Sequence, residues 1–492
     1  MSASKIDKVD LKLRIEKHFH DNLHNAEYEI KTIHPRDLLT NNRFDLAFKL
    51  LYLEGREYCA ESSSCIYNEH IRAFSLGKFT EPGNEDKNSI EKFHASFEST
   101  YENIKNNGFD SSLTLIPLTK SGAIANGAHR VASALYLDKE ISCVQIDTEE
   151  QIYDYKFFYS RNVSIDLLDA AATKFVEYAK NIYIACVWPA AKGSSEQLAK
   201  IIPNIVYKKD VTLSHNGAHN LLSQVYYGEE WLGNISNDFK GTKGKLVECF
   251  KGANTVRFFA FQAASLSDVL DIKEKVRSLF NIGKHSIHIT DTKEEAIQLS
   301  RLVFNNNSVH FLNYGKPNVY KDTHKKLEQF KAFAEANGLP KDEVLLDSGM
   351  LLAIYGLRKA SDLDYLSIDE RDIEFSDKNI ESHDEELKYH NESKSSLLIN
   401  PKFHFYFNDI KFIAFNQLLR MKKNRNTTKD INDRLVMEAV IEKNLFKEKL
   451  AKVRQSFLYG SLKAKKILLD VFRYLGIYKP VRAFYRLLKS LI

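Results

Sequence analysis

The chain has 492 residues, a hydrophobic share of 43%, an aromatic share of 12% and a formal net charge of +5. This composition excludes a mainly disordered chain, and only 20 glycines and 9 prolines exclude a fibrous or linker-rich one. The length predicts about three domains. No signal peptide or apolar run long enough to cross a bilayer is visible, and the five cysteines form no Cys-x-x-Cys pair, so we expect a cytoplasmic protein.

The positive charge is concentrated at the end of the chain. Residues 441–492 carry a net charge of +10, which leaves about −5 for the rest. A general nucleic-acid binder would normally carry positive charge on its folded site as well. The asymmetry therefore predicts a local anionic partner, and no DNA is expected.

The first part of the chain divides into two predicted units. Residues 1–40 are expected to form an N-terminal helical segment without recognisable chemistry. Residues 41–155 end in a strand, a turn and a helix, with the strand at 112–118 and the turn at 127–130. In that turn Gly127 lets the backbone approach an anion, and His129 and Arg130 can donate hydrogen bonds to it.

The sequence Asn126-Gly127-Ala128-His129-Arg130 resembles the Gly-x-His-Arg turn of the ParB/sulfiredoxin fold. The resemblance implies a ParB/sulfiredoxin-like domain whose loop, with Gly127, His129 and Arg130, binds nucleotide phosphate. Sulfiredoxin's catalytic cysteine would fall at Ala128, which excludes reductase chemistry and leaves an ATP-dependent kinase open. The competing interpretation is a helix N-terminus with its arginine paired to a nearby carboxylate.

Residues 160–320 form a predicted central mixed α/β domain of unknown role. Strands are expected at 181–187 and 285–289. Thr292 and Glu295 have the spacing of a capping box, which opens a helix through Leu302.

The segment from 345 to 366, within a predicted domain at 325–440, carries the most specific chemistry. Ser348 and Gly349 precede an apolar helix, whose first amides are expected to be free for a phosphate. Asp362 and Asp364 are two residues apart in a predicted strand, so their side chains share one face and can share a divalent cation. The competing interpretation is that the two aspartates only cap a turn.

This arrangement resembles the nucleotidyltransferase superfamily, which has a DNA polymerase β-like mixed sheet. The resemblance implies that Asp362 and Asp364 are catalytic and hold Mg²⁺ or Mn²⁺, and that Ser348, Gly349 and Arg358 bind nucleotide phosphate. The later residues Lys422, Lys423, Arg425, Lys429, Asp430 and Asp433 are similar to the basic helix and the Lys/Arg-Asp element of that superfamily.

A third carboxylate is usual on a neighbouring strand of such a site. Asp409 falls in the turn of a predicted hairpin at 404–413, and the polar residues nearest to the preceding strand are Asn400 and His404. The sequence therefore leaves the third ligand unassigned.

The tail at 441–492 is predicted to be helical, basic and amphipathic. Leucines and aromatic residues alternate with lysines and arginines from Gly460 to Ile492, and Pro480 should divide the run into two helices. This pattern is typical of a helix that lies on an anionic membrane surface. A helix pair that docks on an acidic face of the body or on a sister chain is the alternative.

The sequence thus predicts an α/β and α+β multidomain enzyme. It would transfer a nucleotidyl or phosphodiester-linked group from a nucleotide donor (ATP or CDP-linked) to a hydroxyl of a glycan or lipid-linked sugar. The layout resembles proteins of bacterial surface-polysaccharide biosynthesis, which implies a cytoplasmic protein that is peripheral at the inner face of the membrane. A sugar or small-molecule kinase that uses the loop at 127–130, and a non-enzymatic nucleotide-responsive binding protein, are the alternatives.

Overall fold

The computed structural model describes residues 4–81, 87–368, 379–443, 445–478 and 480. Three sheets, of four, four and five strands, are surrounded by helices. The predicted mixture of α and β structure is therefore confirmed. Among the described helices, none is long and apolar enough to cross a bilayer.

The first sheet combines two strands from the start of the chain with two strands from residues 116–145. Its strand order is β1-β2-β4-β3, with β3 and β4 parallel and the other pairs antiparallel. The strands are β1 (Ser4–Asp7), β2 (Glu27–Ile33), β3 (Ile116–Leu118) and β4 (Ile141–Gln145). The accompanying helices are α1 (Lys8–Lys12), α2 (Asp45–Gly55), α3 (Ala60–Phe74), α4 (Ile90–Asn107) and α5 (Ala128–Tyr136).

The prediction that residues 1–40 are helical was wrong. Apart from the five-residue α1, this segment supplies two strands and two short 3-10 turns, at Lys17–Asn22 and Pro35–Leu38. In β2, Tyr28, Ile30 and Thr32 alternate with charged residues, which is the period of a strand rather than of a helix.

The second sheet has the order β6-β7-β5-β8 and is antiparallel throughout. Its strands are β5 (Ile182–Val187), β6 (Ile205–Thr212), β7 (Thr255–Gln262) and β8 (Ile287–Ile289). Its helices are α6 (Tyr155–Tyr159), α7 (Ile165–Tyr178), α8 (Ser195–Ala199), α9 (His215–Val225), α10 (Thr242–Phe250), α11 (Leu266–Phe280), α12 (Lys293–Val303) and α13 (Asn306–Tyr314). Three 3-10 turns complete this part, at Glu230–Leu232, Ile235–Asn237 and Gly283–His285.

Strand β5 is buried on both faces, which explains its unbroken apolar sequence. Ile184 and Cys186 join a core that also contains the helices of the first sheet. Tyr183 and Val187 point to the other face, into a smaller core beneath α11. The first and second sheets therefore share one continuous hydrophobic core.

The third sheet contains Asp364 and has the order β11-β10-β9-β13-β12. Its strands are β9 (Val344–Leu346), β10 (Leu363–Ser367), β11 (Ile380–Ser382), β12 (His404–Phe407) and β13 (Ile410–Ile413). Its helices are α14 (Asp322–Ala336), α15 (Gly349–Ile354), α16 (Lys394–Ile399), α17 (Phe415–Arg425), α18 (Thr428–Ile441) and α19 (Leu445–Tyr474), with a 3-10 turn at Asp384–Tyr389.

The predicted hairpin at 404–413 is confirmed. Strands β12 and β13 pair in antiparallel register, with Phe407 opposite Ile410. The two turn residues, Asn408 and Asp409, have φ values of 51° and 59°. Positive φ at both positions is the geometry of a type I′ turn, which Asn and Asp tolerate better than most residues.

Candidate functional site

The antiparallel pairing of β9 with β10 brings Asp347 and Asp364 together. Tyr365 is opposite Leu346, so the next pair along the ladder is Asp364 and Asp347. The Asp347 amide donates to the Asp364 carbonyl oxygen at 2.9 Å. The motif between the two strands folds as predicted, with a tight turn at Ser348 (φ 52°, ψ −112°) and the six-residue helix α15.

Asp362, Gly349 and Arg358 converge at the start of β10. A methyl group added at Gly349 would lie 3.5 Å from Asp362 Oδ1 and 3.6 Å from Arg358 Nη1. Asp362 Oδ1 also accepts a hydrogen bond of 3.0 Å from the Ser361 hydroxyl. The backbone at Gly349 is therefore close to both an anionic and a cationic side chain.

The Asp364 carboxylate lies in an unfavourable electrostatic environment. Burial raises its pKa to about 6, with further contributions from Asp362 and Asp347, while His383 and Arg358 act in the opposite direction. Within the described part of the chain, no hydrogen bond or ion pair to its side chain is present. A buried carboxylate repelled by two others favours a bound cation, because a cation removes the repulsion and replaces the lost hydration.

Asp347, which directly follows the neighbouring strand β9, is a third carboxylate near Asp362 and Asp364. The sequence alone did not identify it. Its Oδ2 lies 2.8 Å from His383 Nδ1 and 3.0 Å from His390 Nε2. Its Oδ1 accepts a hydrogen bond of 2.6 Å from the Ser348 amide. Burial alone would raise the pKa of Asp347, but the two imidazoles hold it well below its usual range.

The histidines that bind Asp347 come from the segment after β11. His383 lies just beyond β11, and its amide donates to the Tyr365 carbonyl oxygen at 2.8 Å. His390 follows the 3-10 turn and is completely buried. The pKa of His383 is raised by its hydrogen bond to Asp347, against the effect of burial. Only the position of Asp347, directly after a buried strand, could have signalled this carboxylate in the sequence.

Two different donor sets for a metal therefore lie next to each other. Asp347, His383 and His390 have ligand atoms within 4.8 Å of one another, and this mixed nitrogen and oxygen set would suit a transition metal. Asp362 and Asp364 offer only oxygen, the donor that Mg²⁺ and Mn²⁺ prefer.

The carboxylate pair fits a cation better than the histidine group does. His390 Nδ1 is buried and has no partner among the described residues. If His390 Nε2 bound a metal, Nδ1 would carry a buried proton without an acceptor, which is unfavourable. We infer that the two histidines orient Asp347, and that Asp362 and Asp364 are the residues that could hold Mg²⁺ or Mn²⁺.

Arg358 is held in place by a buried carboxylate. Its Nε lies 3.0 Å from Asp433 Oδ1, and its Nη2 lies 3.3 Å from Asp433 Oδ2. Lys422 Nζ contacts the same Asp433 at 2.9 Å and Asp430 at 3.2 Å. Arg425 binds Asp430 through two nitrogens. Lys422 and Arg425 of the predicted basic element thus neutralise buried aspartates, and this network fixes Arg358 beside Gly349.

The other residues considered as a third ligand lie elsewhere. Asn400 donates to Ser62 at 2.7 Å, and His404 Nδ1 contacts the Leu397 carbonyl oxygen at 3.1 Å. Asp409 is paired with Lys341 at 2.5 Å. Each of these side chains therefore has a partner away from Asp362 and Asp364.

The loop at 127–130 has the expected backbone conformation, but the side chains of His129 and Arg130 already have partners. Gly127 precedes α5 with a φ of 91°. His129 is stacked on Phe97, with ring centroids 4.5 Å apart, and its Nε2 lies 2.8 Å from the Tyr67 hydroxyl. Arg130 Nη2 is paired with Glu16 at 2.5 Å. A phosphate at this loop would have to compete with that ion pair.

A well-formed cavity lies away from the carboxylates. Its volume is about 360 Å³, and it lies between α9, α12, α14 and the β12–β13 hairpin, with Tyr227, His288, Arg301 and Tyr406 among the lining residues. Neither Asp362 nor Asp364 lines it.

Comparisons with known proteins add no assignment. No protein-family model, no curated protein and no solved structure matches the chain.

Proposed function

We propose that the chain is a metal-dependent transferase of a nucleotidyl or phosphodiester-linked group. The observation that carries the proposal is the carboxylate cluster, in which the side chain of Asp364, opposite Asp347 and two residues from Asp362, has no hydrogen bond or ion pair among the described residues. Transfer of such groups needs little covalent chemistry from the protein, and depends on positioning and on neutralising phosphate charge.

Each part of the cluster has a role in this proposal. Asp362 and Asp364 would hold Mg²⁺ or Mn²⁺, which neutralises phosphate charge when it is bound. Arg358, fixed by Asp433, presents a guanidinium near Gly349 and could pair with a phosphate oxygen. His383 and His390 hold the Asp347 carboxylate at the same end of the sheet.

The donor and acceptor rest on the resemblance described above. We propose a nucleotide donor, ATP or CDP-linked, and a hydroxyl of a glycan or lipid-linked sugar as acceptor. The kinase alternative would place the chemistry at Gly127, His129 and Arg130. The existing Tyr67 and Glu16 partners of that loop make the carboxylate cluster the better-supported site.

The proposal is tested by incubating the full chain with Mg²⁺, a mixture of glycans with free hydroxyls, and a panel of nucleoside triphosphates and CDP-linked donors, and by measuring release of pyrophosphate, nucleoside monophosphate or, for a kinase, nucleoside diphosphate. We expect turnover that Asp362→Asn or Asp364→Asn lowers by at least about 100-fold, the scale of losing one electrostatic contribution to a transition state. Asp271→Asn, an exposed carboxylate on α11, is the matched control. Turnover that survives both site variants but not Arg130→Ala would support the kinase instead.

A further inference from the structure

Helix α19 is attached to the body along one side only. It runs for 30 residues and packs on α18. Gln455 is buried and its Nε2 donates to Asp433 Oδ1 at 2.9 Å, while Ala451, one turn earlier, packs against the core of the third sheet. The face that carries Ala451 and Gln455 therefore meets the protein.

The opposite face is an exposed apolar stripe. Phe446, Leu450, Val453 and Phe457 are 77%, 61%, 68% and 83% exposed. Their spacing of four, three and four residues places them on one side of a helix, about 180° from Gln455 at 100° per residue. The same spacing, continued through Gly460 and Ala464, reaches three more exposed side chains: Ile467, Val471 and Tyr474. These seven large residues are called the apolar stripe.

Basic residues border the stripe. Lys449 and Lys463 lie on one side of it, and Lys447 and Arg454 lie on the other. An exposed apolar sector between two rows of cations is how a helix that lies in a membrane interface is built.

We propose that α19 binds the surface of a bilayer that contains anionic phospholipid. The apolar stripe would enter the boundary between headgroups and acyl chains, and the bordering lysines and arginine would contact the headgroups. Basic residues near such a surface are attracted to it, and burial of large apolar side chains adds to that attraction, so the stripe and its borders together favour reversible binding.

A second copy of the chain is the competing occupant of the stripe. A spacing of alternately three and four residues also suits a two-helix coiled coil. In a parallel pair, Lys449 of one copy would face Arg454 of the other, so like charges would meet. The four bordering residues are all cations, and this uniform positive charge favours an anionic surface over a second copy that carries the same charge.

The attachment of α19 connects this surface to the candidate site. Asp433 accepts the hydrogen bond from Gln455 and also pairs with Arg358, the guanidinium beside Gly349. A membrane-bound α19 would hold the carboxylate cluster at a fixed position relative to the lipid. This last step rests on the proposed function, whereas the docking itself does not.

The test is flotation of the full chain with vesicles of phosphatidylcholine alone or mixed with phosphatidylglycerol. We expect binding only to the mixed vesicles, weakened by salt. Leu450→Ser with Phe457→Ser should lower that binding at least about tenfold, since two large side chains no longer enter the interface. Lys449→Ser with Arg454→Ser should also lower it. Leu113→Ser with Val247→Ser, at positions 67% and 69% exposed outside α19, is the matched control and should leave it unchanged.

Three results would overturn the proposal. One is no binding of the wild-type chain to the mixed vesicles, and another is unchanged binding of the Leu450→Ser, Phe457→Ser variant. The third is a wild-type dimer, measured by light scattering, that the same variant converts to a monomer without any effect on vesicle binding. Flotation does not depend on enzymatic turnover. Failure of the membrane-binding proposal can therefore be distinguished from failure of the transferase proposal.

Discussion

Asp347 and Asp364 are neighbours on adjoining strands, but their carboxylates have opposite electrostatic surroundings. Asp347 is bound by His383, His390 and the Ser348 amide. Asp364 is pushed toward its protonated form by burial and by two other carboxylates. The Asp347 carboxylate therefore stabilises the fold. The Asp364 carboxylate destabilises it, and a bound cation would remove that destabilisation.

This contrast predicts different consequences for two substitutions. Asp364→Asn should leave the free energy of unfolding at neutral pH unchanged or higher, because it removes a desolvated and repelled charge. Asp347→Ala should lower that free energy by about 1–3 kcal/mol, because it leaves buried polar groups of His390 and Ser348 without their partner. Urea unfolding of both variants and the wild type measures the two effects. A larger loss for Asp364→Asn than for Asp347→Ala would contradict this assignment.

Because His288 in the second sheet is buried, we expect the protein to lose stability in mild acid. Burial lowers its pKa to about 4, with nearby Lys273 acting in the same direction and Asp291 opposing it. Below about pH 6.5 the unfolded chain takes up a proton at this residue that the folded chain refuses. Stability is therefore present above that pH and falls as the pH drops toward about 4, by up to about 1.4 kcal/mol per pH unit.

The measurement is the pH dependence of the unfolding midpoint for wild type and His288→Gln. The variant should show a shallower decline in acid, because one of the proton-linked groups is gone. His18→Gln, at an exposed position, is the control and should keep the wild-type slope. Equal slopes in all three proteins would show that His288 does not contribute.

At the scale of elements, the order of turn, helix α15 and strand β10 could be predicted because it rests on local signals. Gly349 opens an apolar helix, and Asp364 lies in β10 with Asp362 two positions earlier, just before the strand. The role of Asp347 could not be predicted, because it depends on the antiparallel pairing of β9 with β10 and on His390, 43 residues away. Long-range register is not encoded in any local pattern.

The strands of the N-terminal segment also depend on partners that lie far away in the sequence. Strand β2 pairs with β4, more than a hundred residues later, and Ile30 is opposite Val144. Its alternating pattern is present in the sequence, but Glu27, Glu29 and Lys31 on its exposed face are residue types that favour a helix over a strand. The buried partners that decide between the two, such as Val144, belong to a distant segment.

The crossing of α2 and α3 gives a prediction at this scale. A methyl group added at Gly55 would lie 2.0 Å from Ser63 Oγ, closer than any real contact. Gly55→Ala should therefore lower the free energy of unfolding by about 1–3 kcal/mol through overpacking. Adding Ser63→Ala should restore most of the loss, since the clashing oxygen is removed. Thermal unfolding of the single and double variants measures both effects.

Gly244 provides the matched control for that experiment. It lies in α10, and an added methyl group there would meet no atom within 4 Å. Gly244→Ala should be neutral or stabilising by up to about 1 kcal/mol, because alanine favours a helix. If Gly55→Ala were equally harmless, α2 and α3 would not cross as closely as described.

At the scale of the whole molecule, Arg301 joins the second sheet's helices to the third sheet. It binds Glu177 on α7 at 2.8 Å and Asp342, just before β9, at 3.1 Å. Its guanidinium carbon also lies 4.4 Å from the centre of the Tyr406 ring on β12. Burial would raise the pKa of Asp342, but Arg301 and Lys411 lower it below its usual range. The two parts of the chain are thus connected by a largely buried ionic group.

Arg301→Leu should therefore affect more than one part of the molecule. It leaves the buried Glu177 carboxylate with Lys174 as its remaining cation and removes the arginine partner of the half-exposed Asp342 carboxylate, which we expect to cost about 1–3 kcal/mol. The expected result is a lower midpoint in urea, reported by probes in both the second and the third sheet. Lys275→Leu removes an exposed pair with Asp271 and should change the free energy of unfolding by at most about 1 kcal/mol.

Binding of Mn²⁺ to the full chain, followed by electron paramagnetic resonance, shows whether Asp362 and Asp364 form the metal site. We expect wild type to bind Mn²⁺, Asp364→Asn and Asp362→Asn each to weaken binding at least about tenfold, and His390→Gln and Asp271→Asn to leave it near the wild-type value. Binding that survives both aspartate variants, or that is lost with His390→Gln alone, would contradict this expectation. The second result would move the metal to Asp347, His383 and His390.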